Sequence, residues 1–592
     1  MIETRTIQPG GRKWWIRPAL AAPILADGWP PDFPERLEPV KQGSGRTISR
    51  FRSGGRGFFV KAYAAGGPLG RLRTLLGLGR ARREWDALLA ARKAGLDVPE
   101  PVALARSGAE VLITAEVEGG RRLDEYLFER YFEALPGDPP YPGARPPELV
   151  AVFRRRVRPE GAISPRDLAH RLAALVAQLA EADLYLPDLH PGNLLIAGGP
   201  GAWRLHLVDL AEAVRPAPDE AVLQHLMQLE HFFEPIATAA ERVRCLGRLG
   251  ELLGRPLDAR AVTRASEAYR RRFYRHRDQR TRRESKYFAR LAVGQWRGWA
   301  AADWAEAVGE FLAAAPSGID APPATAGAGE AAVLKEGRTS SVWRVTLPGG
   351  RPLVLKRHNR AAERALRNVG RPSRSLAAFR KGHAMLIRGI ATARPAAAAD
   401  LRGGPGRRQT VLLTEPVDGR TLPDWLRGGP PPSERRRVTW RLARAIRRLH
   451  DAGFWHRDLK APNVLVTPPP GSRPVLVDLD GLGDGWHVSN GRRARDLMRL
   501  SVSLDEWGLA RRTDRLRFLR AYLGRRGSPS AITIRARRSA GAAKARRGEA
   551  REARPRPPES LATLTAANVR RWWRRIARLS ARKQEALRRK GP

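Results

Sequence analysis

The sequence predicts an α+β fold made of two tandem copies of one bilobal unit, in which a sheet-rich part precedes a helical part. One order of features occurs twice along the 592 residues. It runs from a strand pair, a lone lysine on a strand and a helix to an apolar strand, a long helix, an Asp-x-x-x-x-Asn loop and an apolar strand that ends in Asp. A long internal repeat indicates two copies of a domain. Residues 314–330 between the copies are rich in Pro, Ala and Gly, as expected of a linker.

The repeat and its flanks predict five regions. These are an N-terminal leader (1–34), a first domain (35–313), the linker (314–330), a second domain (331–525) and a basic tail (526–592).

Composition indicates a globular chain in a reducing compartment. Hydrophobic residues make up 42% of the sequence, and the single Cys245 excludes an intramolecular disulfide. No apolar run is long enough for a transmembrane helix, and the N-terminus lacks the order of a secretion signal. We therefore expect a cytoplasmic location, with peripheral attachment to the inner face of an inner membrane left open.

The formal net charge of +48 has two interpretations. One is a polyanionic partner, such as an anionic membrane, a phosphorylated glycolipid or a nucleic acid. The other is a coding bias, because 96 of the 108 basic residues are arginine. In such a chain a surviving lysine marks a place where an ammonium group is required.

The first copy contains a candidate phosphate site. Lys61 lies in the apolar strand GFFVKAY and needs an anionic partner if it is buried. Glu84 on the next helix is either that partner or an ordinary solvated residue. Gly43 and Gly45 form a turn that lets the backbone approach a phosphate. Glu116 ends the strand that leads into a hinge.

A second group of polar residues follows in the first copy. Asp188 and Asn193 stand five residues apart in LPDLHPGN, and Asp209 ends the next apolar strand. Phosphoryl transfer needs an acid that orients a hydroxyl, oxygen ligands for Mg²⁺ and a lysine on the phosphates. These residue types in this order therefore predict ATP-dependent phosphoryl transfer.

The second copy repeats the pattern with one exception. Gly337, Lys356 and Glu415 take the places of the glycine turn, the strand lysine and the hinge glutamate. The loop FWHRDLKAPN supplies Asp458, Lys460 and Asn463, and the next strand ends in Asp478. Counting back from Gly389 puts Ala378 where the first copy has Glu84, so that either Glu363 substitutes or Lys356 lacks its partner.

The order Lys61, Glu84, Asp188, Asn193, Asp209 resembles the protein-kinase-like superfamily, and Asp-Leu-His-Pro-Gly-Asn is similar to its saccharide branch, including lipopolysaccharide core heptose and Kdo kinases. The resemblance implies ATP and Mg²⁺ as cofactors. It makes the lysines phosphate ligands, with Glu84 orienting Lys61, and makes Asp188 and Asp458 the catalytic acids. Lys460 then neutralises the γ-phosphate, and the implied metal ligands are Asn193, Asp209, Asn463 and Asp478. An Ala-Pro-Glu segment, typical of protein kinases that dock peptides, is missing.

The tail ends in a basic helix with a partial apolar stripe. Trp572, Trp573, Ile576 and Leu579 form the stripe, beside Arg570, Arg571, Arg574, Arg575 and Arg578. This helix suits an anionic membrane interface, a nucleic acid or packing on the second domain with a solvated basic face. Of these, nucleic acid is the least favoured.

Taken together, the sequence predicts a Mg-ATP-dependent kinase acting on sugar hydroxyls of lipopolysaccharide core or a related glycolipid. His456-Arg457-Asp458 keeps a protein Ser/Thr kinase open. Ala378 keeps open a nucleotide-binding pseudokinase scaffold whose tail binds membrane or nucleic acid.

Overall fold

A computed structural model describes most of the chain in two compact units. It describes residues 4–9, 12–29, 34–43, 45–64, 79–105, 110–132, 160–199, 201–234, 236–320, 332–337, 340–360, 372–402, 408–469, 472–524 and 566–589. Among them the first unit ends at Tyr269, and the second begins at Arg270 and includes the last helix.

The first unit opens with a seven-stranded antiparallel sheet in the order β1-β2-β6-β7-β5-β4-β3. Its strands are β1 (Arg5–Ile7), β2 (Trp14–Ile16), β3 (Glu38–Gly43), β4 (Arg46–Ser53), β5 (Arg56–Tyr63), β6 (Pro101–Ala105) and β7 (Glu110–Ala115). Alternation of buried and exposed residues along β5 puts Phe58 and Val60 in the core beneath the sheet. Two helices accompany the sheet: α1 (Pro18–Asp27) and α2 (Arg80–Lys93).

The rest of the first unit is mainly helical. It contains α3 (Leu123–Tyr131), α4 (Pro165–Glu181), α5 (Ala221–Phe233), α6 (Ala239–Leu252) and the start of α7 (Ala259–Asp278), with a three-stranded sheet of β8 (Arg121–Arg122), β9 (Leu194–Ala197) and β10 (Arg204–Leu207). The Ser164 hydroxyl caps α4 by accepting from the Asp167 N–H at 3.0 Å. This part carries the loop of Asp188 and Asn193.

The second unit has a sheet of the same size and strand order, β11-β12-β16-β17-β15-β14-β13. The strands are β11 (Phe288–Val293), β12 (Trp296–Ala301), β13 (Ala332–Lys335), β14 (Ser340–Leu347), β15 (Arg351–Arg360), β16 (Pro395–Leu401) and β17 (Arg408–Thr414), with helices α8 (Ala305–Ala313) and α9 (Arg374–Ile387). The lysine strands β5 and β15 occupy the same place in the two sheets.

The helical part of the second unit also repeats the first. Its helices are α10 (Leu422–Arg427), α11 (Pro432–Asp451), α12 (Asn490–Glu506), α13 (Arg512–Leu523) and α14 (Ala566–Arg588). Short strands flank the loop of Asp458: β18 (Arg420–Thr421), β19 (Phe454–His456), β20 (Val464–Val466), β21 (Pro474–Leu476) and β22 (Leu482–Asp484). Among the helices that the structure describes, none combines the length and apolar character needed to span a bilayer.

The two sheets include strands that lie outside the predicted domain bounds. Strands β1 and β2 lie within residues 1–34, yet they pair into the first sheet. Strands β11 and β12 lie within 35–313, yet they pair into the second sheet through β16. The stretch 314–330 therefore follows α8 inside the second unit, where the Ile319 N–H donates to Gln409 Oε1 at 2.9 Å. The sequence missed this because short terminal strands lack a lysine or glycine marker.

The basic helix α14 packs on the second unit. Val569 and Trp572 are buried in its helical core, and Trp573, Ile576 and Leu579 pack against that core beside α12 and α13. The predicted apolar stripe is therefore covered by protein, whereas Arg570, Arg571 and Arg574 stay exposed.

Candidate active site

The lysine of the first unit pairs with Glu84, which is one of the two alternatives that the sequence left open. Lys61 Nζ lies 2.5 Å from Glu84 Oε1, and Glu84 is fully buried on α2. The Tyr63 hydroxyl donates to the second Glu84 oxygen. Burial first, and the Glu84 carboxylate second, raise the pKa of Tyr63, so that this hydroxyl stays a donor. The structure thus brings together the lysine and the glutamate that the sequence placed far apart.

The loop of the first unit is held from below by helix α5. His225 Nε2 accepts the Leu186 N–H at 2.9 Å, and Gln228 Oε1 accepts the Leu189 N–H at 2.8 Å. Burial lowers the pKa of His225 to about 4, which keeps its ring neutral and able to accept. The loop presents Asp188, whose side chain is 82% exposed, and the Asn193 amide donates to the Asp188 carbonyl at 3.0 Å.

Asp209 of the first unit is occupied by an arginine that the sequence did not suggest. Both Arg46 guanidinium ends lie 2.5 Å from the two Asp209 oxygens. Burial alone would raise the pKa of Asp209, but the Arg46 contact holds it below its usual value. A predicted Mg²⁺ ligand is therefore already neutralised by an arginine on β4.

The lysine of the second unit is held by a different carboxylate pair. Lys356 Nζ lies 2.6 Å from Asp478 Oδ1 and 2.6 Å from Asp480 Oδ2. His358 Nε2 lies 3.0 Å from the same Asp480 oxygen. Burial alone would lower the pKa of Lys356, but Asp480 and Asp478 raise it. Burial opposes ionisation of Asp480, yet His358 and Lys356 lower the pKa of this carboxyl to about 2.

The sequence did not predict Asp480 as a partner of Lys356, although it contains a signal for this contact. Glu84 and Ala378 are each the fifth residue of a 14-residue helix, so the predicted register between α2 and α9 holds. Ala378 is buried. In turn, Asp480 stands two residues after Asp478, where the first unit has Ala211 after Asp209. The two units thus place a partner carboxylate for the lysine on different elements, while Glu363 falls outside the described residues.

The loop of the second unit combines the remaining predicted groups. Lys460 Nζ lies 3.0 Å from Asp458 Oδ1, and the Asn463 amide donates to the Asp458 carbonyl at 2.9 Å. The loop is anchored on α12 because Asp496 Oδ2 accepts the His456 N–H at 2.7 Å. Burial lowers the pKa of His456, which keeps the ring neutral.

Asp209 and Asp478 share an unusual backbone conformation. Their φ angles are +66° and +62°, in the left-handed region that a residue with a Cβ seldom adopts. Such conformations cost on the order of 1 kcal/mol or more and concentrate at functional sites. The same costly geometry at both equivalent positions supports a shared role for these two aspartates.

The oxygen donors present suit Mg²⁺. Mg²⁺ in kinase sites is typically bound by one or two side-chain oxygens together with substrate phosphates. Asp478 and Asn463 offer a carboxylate and an amide oxygen, and Asn463 uses its amide nitrogen to hold the loop. No cluster of three or more His, Cys, Asp or Glu side chains with metal-binding geometry occurs in the described part of the chain.

The predicted glycines lie near strand ends, and the predicted hinge glutamates lie beside arginines. Gly43 ends β3 and Gly45 precedes β4, whereas Gly337 follows β13. Glu116 Oε2 lies 2.9 Å from Arg50 Nη2, and Glu415 Oε1 lies 2.5 Å from Arg394 Nη1. Both glutamate side chains are thus engaged by arginines of their own unit, and their contact with a nucleotide stays a prediction.

Comparison with known proteins identifies one family and several relatives. Residues 356–522 match the family described as "Lipopolysaccharide kinase (Kdo/WaaP) family". A 3-deoxy-D-manno-octulosonic acid kinase of Xanthomonas campestris pv. campestris is 32% identical over 194 residues, covering 29% of this chain and 68% of the relative. The lipopolysaccharide core heptose(I) kinase WaaP of Pseudomonas aeruginosa is 33% identical over 147 residues, covering 23% of this chain and 54% of the relative. A solved structure of WaaP in complex with acyl carrier protein aligns with a TM-score of 0.29 at 22% identity, covering 40% of this chain and 90% of that one.

The lysine, the acidic loop and the following aspartate are the residue types that phosphoryl transfer requires. The family match and the relatives show that this protein is an ATP-dependent kinase. The chain belongs to the lipopolysaccharide kinase (Kdo/WaaP) family. The matched residues begin at Lys356 and extend through α12 into α13, so the match lies in the second unit.

Proposed function

We propose that this protein transfers the γ-phosphate of Mg-ATP to a sugar hydroxyl of lipopolysaccharide core or of a related glycolipid, and that the second unit performs the transfer. The observation that carries the proposal is the coincidence of the family match with the site. Residues 356–522 contain Lys356, Asp458, Lys460, Asn463 and Asp478. In the same span, Asp480 supplies the contact to Lys356 that the sequence left unexplained.

In this mechanism the residues position the reactants and stabilise charge. Asp458 orients the sugar hydroxyl and takes its proton as the oxygen bonds to the γ-phosphorus and the bond to the β-γ bridging oxygen breaks. Lys460, 3.0 Å from Asp458, is available to the γ-phosphate, and Lys356 to the other phosphates. Asp478 and Asn463 would hold Mg²⁺, which neutralises phosphate charge when bound.

For the whole chain we propose two kinase-like domains in tandem, with a division of labour. If the first unit transfers phosphate, Lys61→Ala or Asp209→Asn abolishes its transfer. The bidentate Arg46–Asp209 contact instead favours a nucleotide-binding role with little turnover, because a metal must compete with the guanidinium for Asp209.

We propose that the protein binds an anionic surface. The exposed arginines of α14 suit peripheral contact with the inner face of a bacterial inner membrane, where the acceptor glycolipid would be met. The location and this contact are part of the proposal, and nucleic acid is not the partner we propose.

The test is transfer of labelled γ-phosphate from Mg-ATP to purified core-truncated lipopolysaccharide by the full chain. We expect wild type and Asp188→Asn to label the glycolipid and Asp458→Asn to lose at least ~99% of the label, in line with removal of a group that acts in the transition state. Loss of label in Asp188→Asn alone would move the activity to the first unit. Label on a generic basic protein but on no glycolipid would support the protein kinase instead.

A further inference from the structure

A polar cleft of about 270 Å³ lies beside the catalytic loop of the second unit. Arg457 directly precedes Asp458, and three further arginines follow one face of α12 at spacings of three and four residues. We call this feature the arginine cleft, and it is lined by Trp455, Arg457, Arg492, Arg495, Asp496 and Arg499. Its volume suits a small charged group rather than a whole glycolipid.

The arginine cleft carries excess positive charge. Asp496 is its lining carboxylate, and it already accepts from the His456 N–H and binds Arg499 Nη1 at 2.9 Å. Within the described residues, Arg457 and Arg495 have no side-chain hydrogen bond or ion pair, and the Arg492 guanidinium lies 4.2 Å from the Trp455 ring centre. Like charges gathered at one cleft repel each other, and a bound anion relieves that repulsion.

At the equivalent described positions the first unit lacks these arginines. His225 and Asp496 hold the same backbone N–H of their loops, that of Leu186 and that of His456, which aligns α5 with α12. In this alignment the positions of the four arginines correspond to neutral residues in the first unit. These are Pro187, Ala221, Gln224 and Gln228. A general bias toward arginine would have placed arginines at these positions in both units. The positive charge is therefore specific to the site of the second unit.

From these observations we propose that the arginine cleft binds a phosphate or carboxylate group of the acceptor and so holds the acceptor beside Asp458. The proposal rests on the proposed function and adds an anionic group to the requirements on the substrate. Guanidinium groups suit this task because they bind phosphate and carboxylate oxygens in pairs and stay charged at any working pH.

The test compares the full chain with Arg492→Ala/Arg495→Gln, which installs the residues of the first unit at those positions. Arg436→Gln/Arg437→Gln is the matched control, because both arginines are exposed on α11 and line no part of the cleft. We expect the cleft variant to raise the acceptor KM at least about tenfold with the ATP KM unchanged, since each charged hydrogen bond contributes roughly that factor or more. The control should match wild type.

A second measurement separates this inference from the proposed function. Binding of radiolabelled inorganic phosphate by equilibrium dialysis needs no turnover, and it should weaken in the cleft variant but not in the control. If wild type labels no glycolipid, the proposed function fails while this binding still tests the cleft. Equal phosphate binding by both variants would overturn the anion site, and weakened phosphate binding with an unchanged acceptor KM would overturn its role in holding the acceptor.

Discussion

The buried Lys61 and the half-buried Lys356 are each paired with a carboxylate, which comes from a different element in each unit. A buried ammonium group is unstable without a nearby anion. The first unit supplies Glu84 from helix α2, and the second supplies Asp480 from the turn after β21, beside Asp478. The position of each missing carboxylate is taken by alanine, Ala211 in the first unit and Ala378 in the second. Asp480 is therefore a positioning residue for Lys356 in the proposed mechanism.

Removal of this carboxylate should impair phosphate binding. We expect Asp480→Ala to lower kcat/KM for ATP by roughly ten- to a hundredfold, because a charged hydrogen bond contributes about 1.5–3 kcal/mol. The measurement is steady-state transfer at varied ATP concentration. Ala378→Glu in the Asp480→Ala background restores the arrangement of the first unit and should recover part of the loss. A purely structural role for Asp480 predicts lower thermal stability with unchanged ATP kinetics.

In the proposed mechanism, Arg46 competes with a metal for Asp209 of the first unit. The second unit has Ser340 at the equivalent place on its strand, because Ile48 pairs with Lys61 as Val342 pairs with Lys356. We expect Arg46→Ser to tighten Mg-dependent nucleotide binding by the first unit about tenfold or more, since the released Asp209 can then take a metal. The measurement is titration of a fluorescent ATP analogue with and without Mg²⁺, in a Lys356→Ala background. Arg52→Ser, an exposed change on the same strand, is the control, and an equal effect of both would contradict the assignment.

At the scale of elements, one helix in each unit holds the Asp-x-x-x-x-Asn loop from below. Helix α5 uses neutral His225 and helix α12 uses the Asp496 carboxyl for the same backbone N–H. These choices make the loop of the first unit sensitive to acid. Protonated His225 has no acceptor nitrogen, so it loses the Leu186 bond.

The pH dependence follows from the lowered pKa of His225. A pKa held near 4 in the fold, below the unfolded value, stabilises the loop fully above about pH 6.5, and this contribution is lost as the pH falls toward 4. The full effect is on the order of 3 kcal/mol. Hydrogen exchange of the peptide containing Leu186, corrected for intrinsic rates, should show protection falling between pH 6.5 and 4.5. His225→Gln keeps an acceptor without titrating, and an equal fall in that variant would argue against His225.

At the scale of the whole molecule, the net charge of +48 is the dominant feature. Part of it is concentrated on α14, whose apolar side is used for packing and whose arginines remain exposed. We expect the full chain to sediment with vesicles containing phosphatidylglycerol at low salt and to be released by 0.5 M NaCl. At that salt concentration, charges more than about 5 Å apart are largely screened from each other.

The charge contributed by α14 can be separated from the rest. Arg571→Gln/Arg574→Gln should weaken vesicle binding roughly tenfold or more, because each basic residue near such a surface contributes about 1 kcal/mol. Vesicles of neutral phosphatidylcholine are the control. Binding that is equal to neutral and anionic vesicles, or unchanged by salt, would show that charge is not the cause.

The sequence by itself determined which residues are proposed for the site. Lys356, Asp458, Asn463 and Asp478 are recognisable because phosphoryl transfer demands those groups in that order, and the register from Gly389 correctly located Ala378. Only the tertiary structure decided which charged side chains contact each other. Asp480, Arg46 and the arginine cleft depend on contacts between residues far apart in sequence, as in the separation of 122 positions between Lys356 and Asp478. It also decided that β1, β2, β11 and β12 complete the sheets, because strand pairing is a long-range interaction that short segments do not encode.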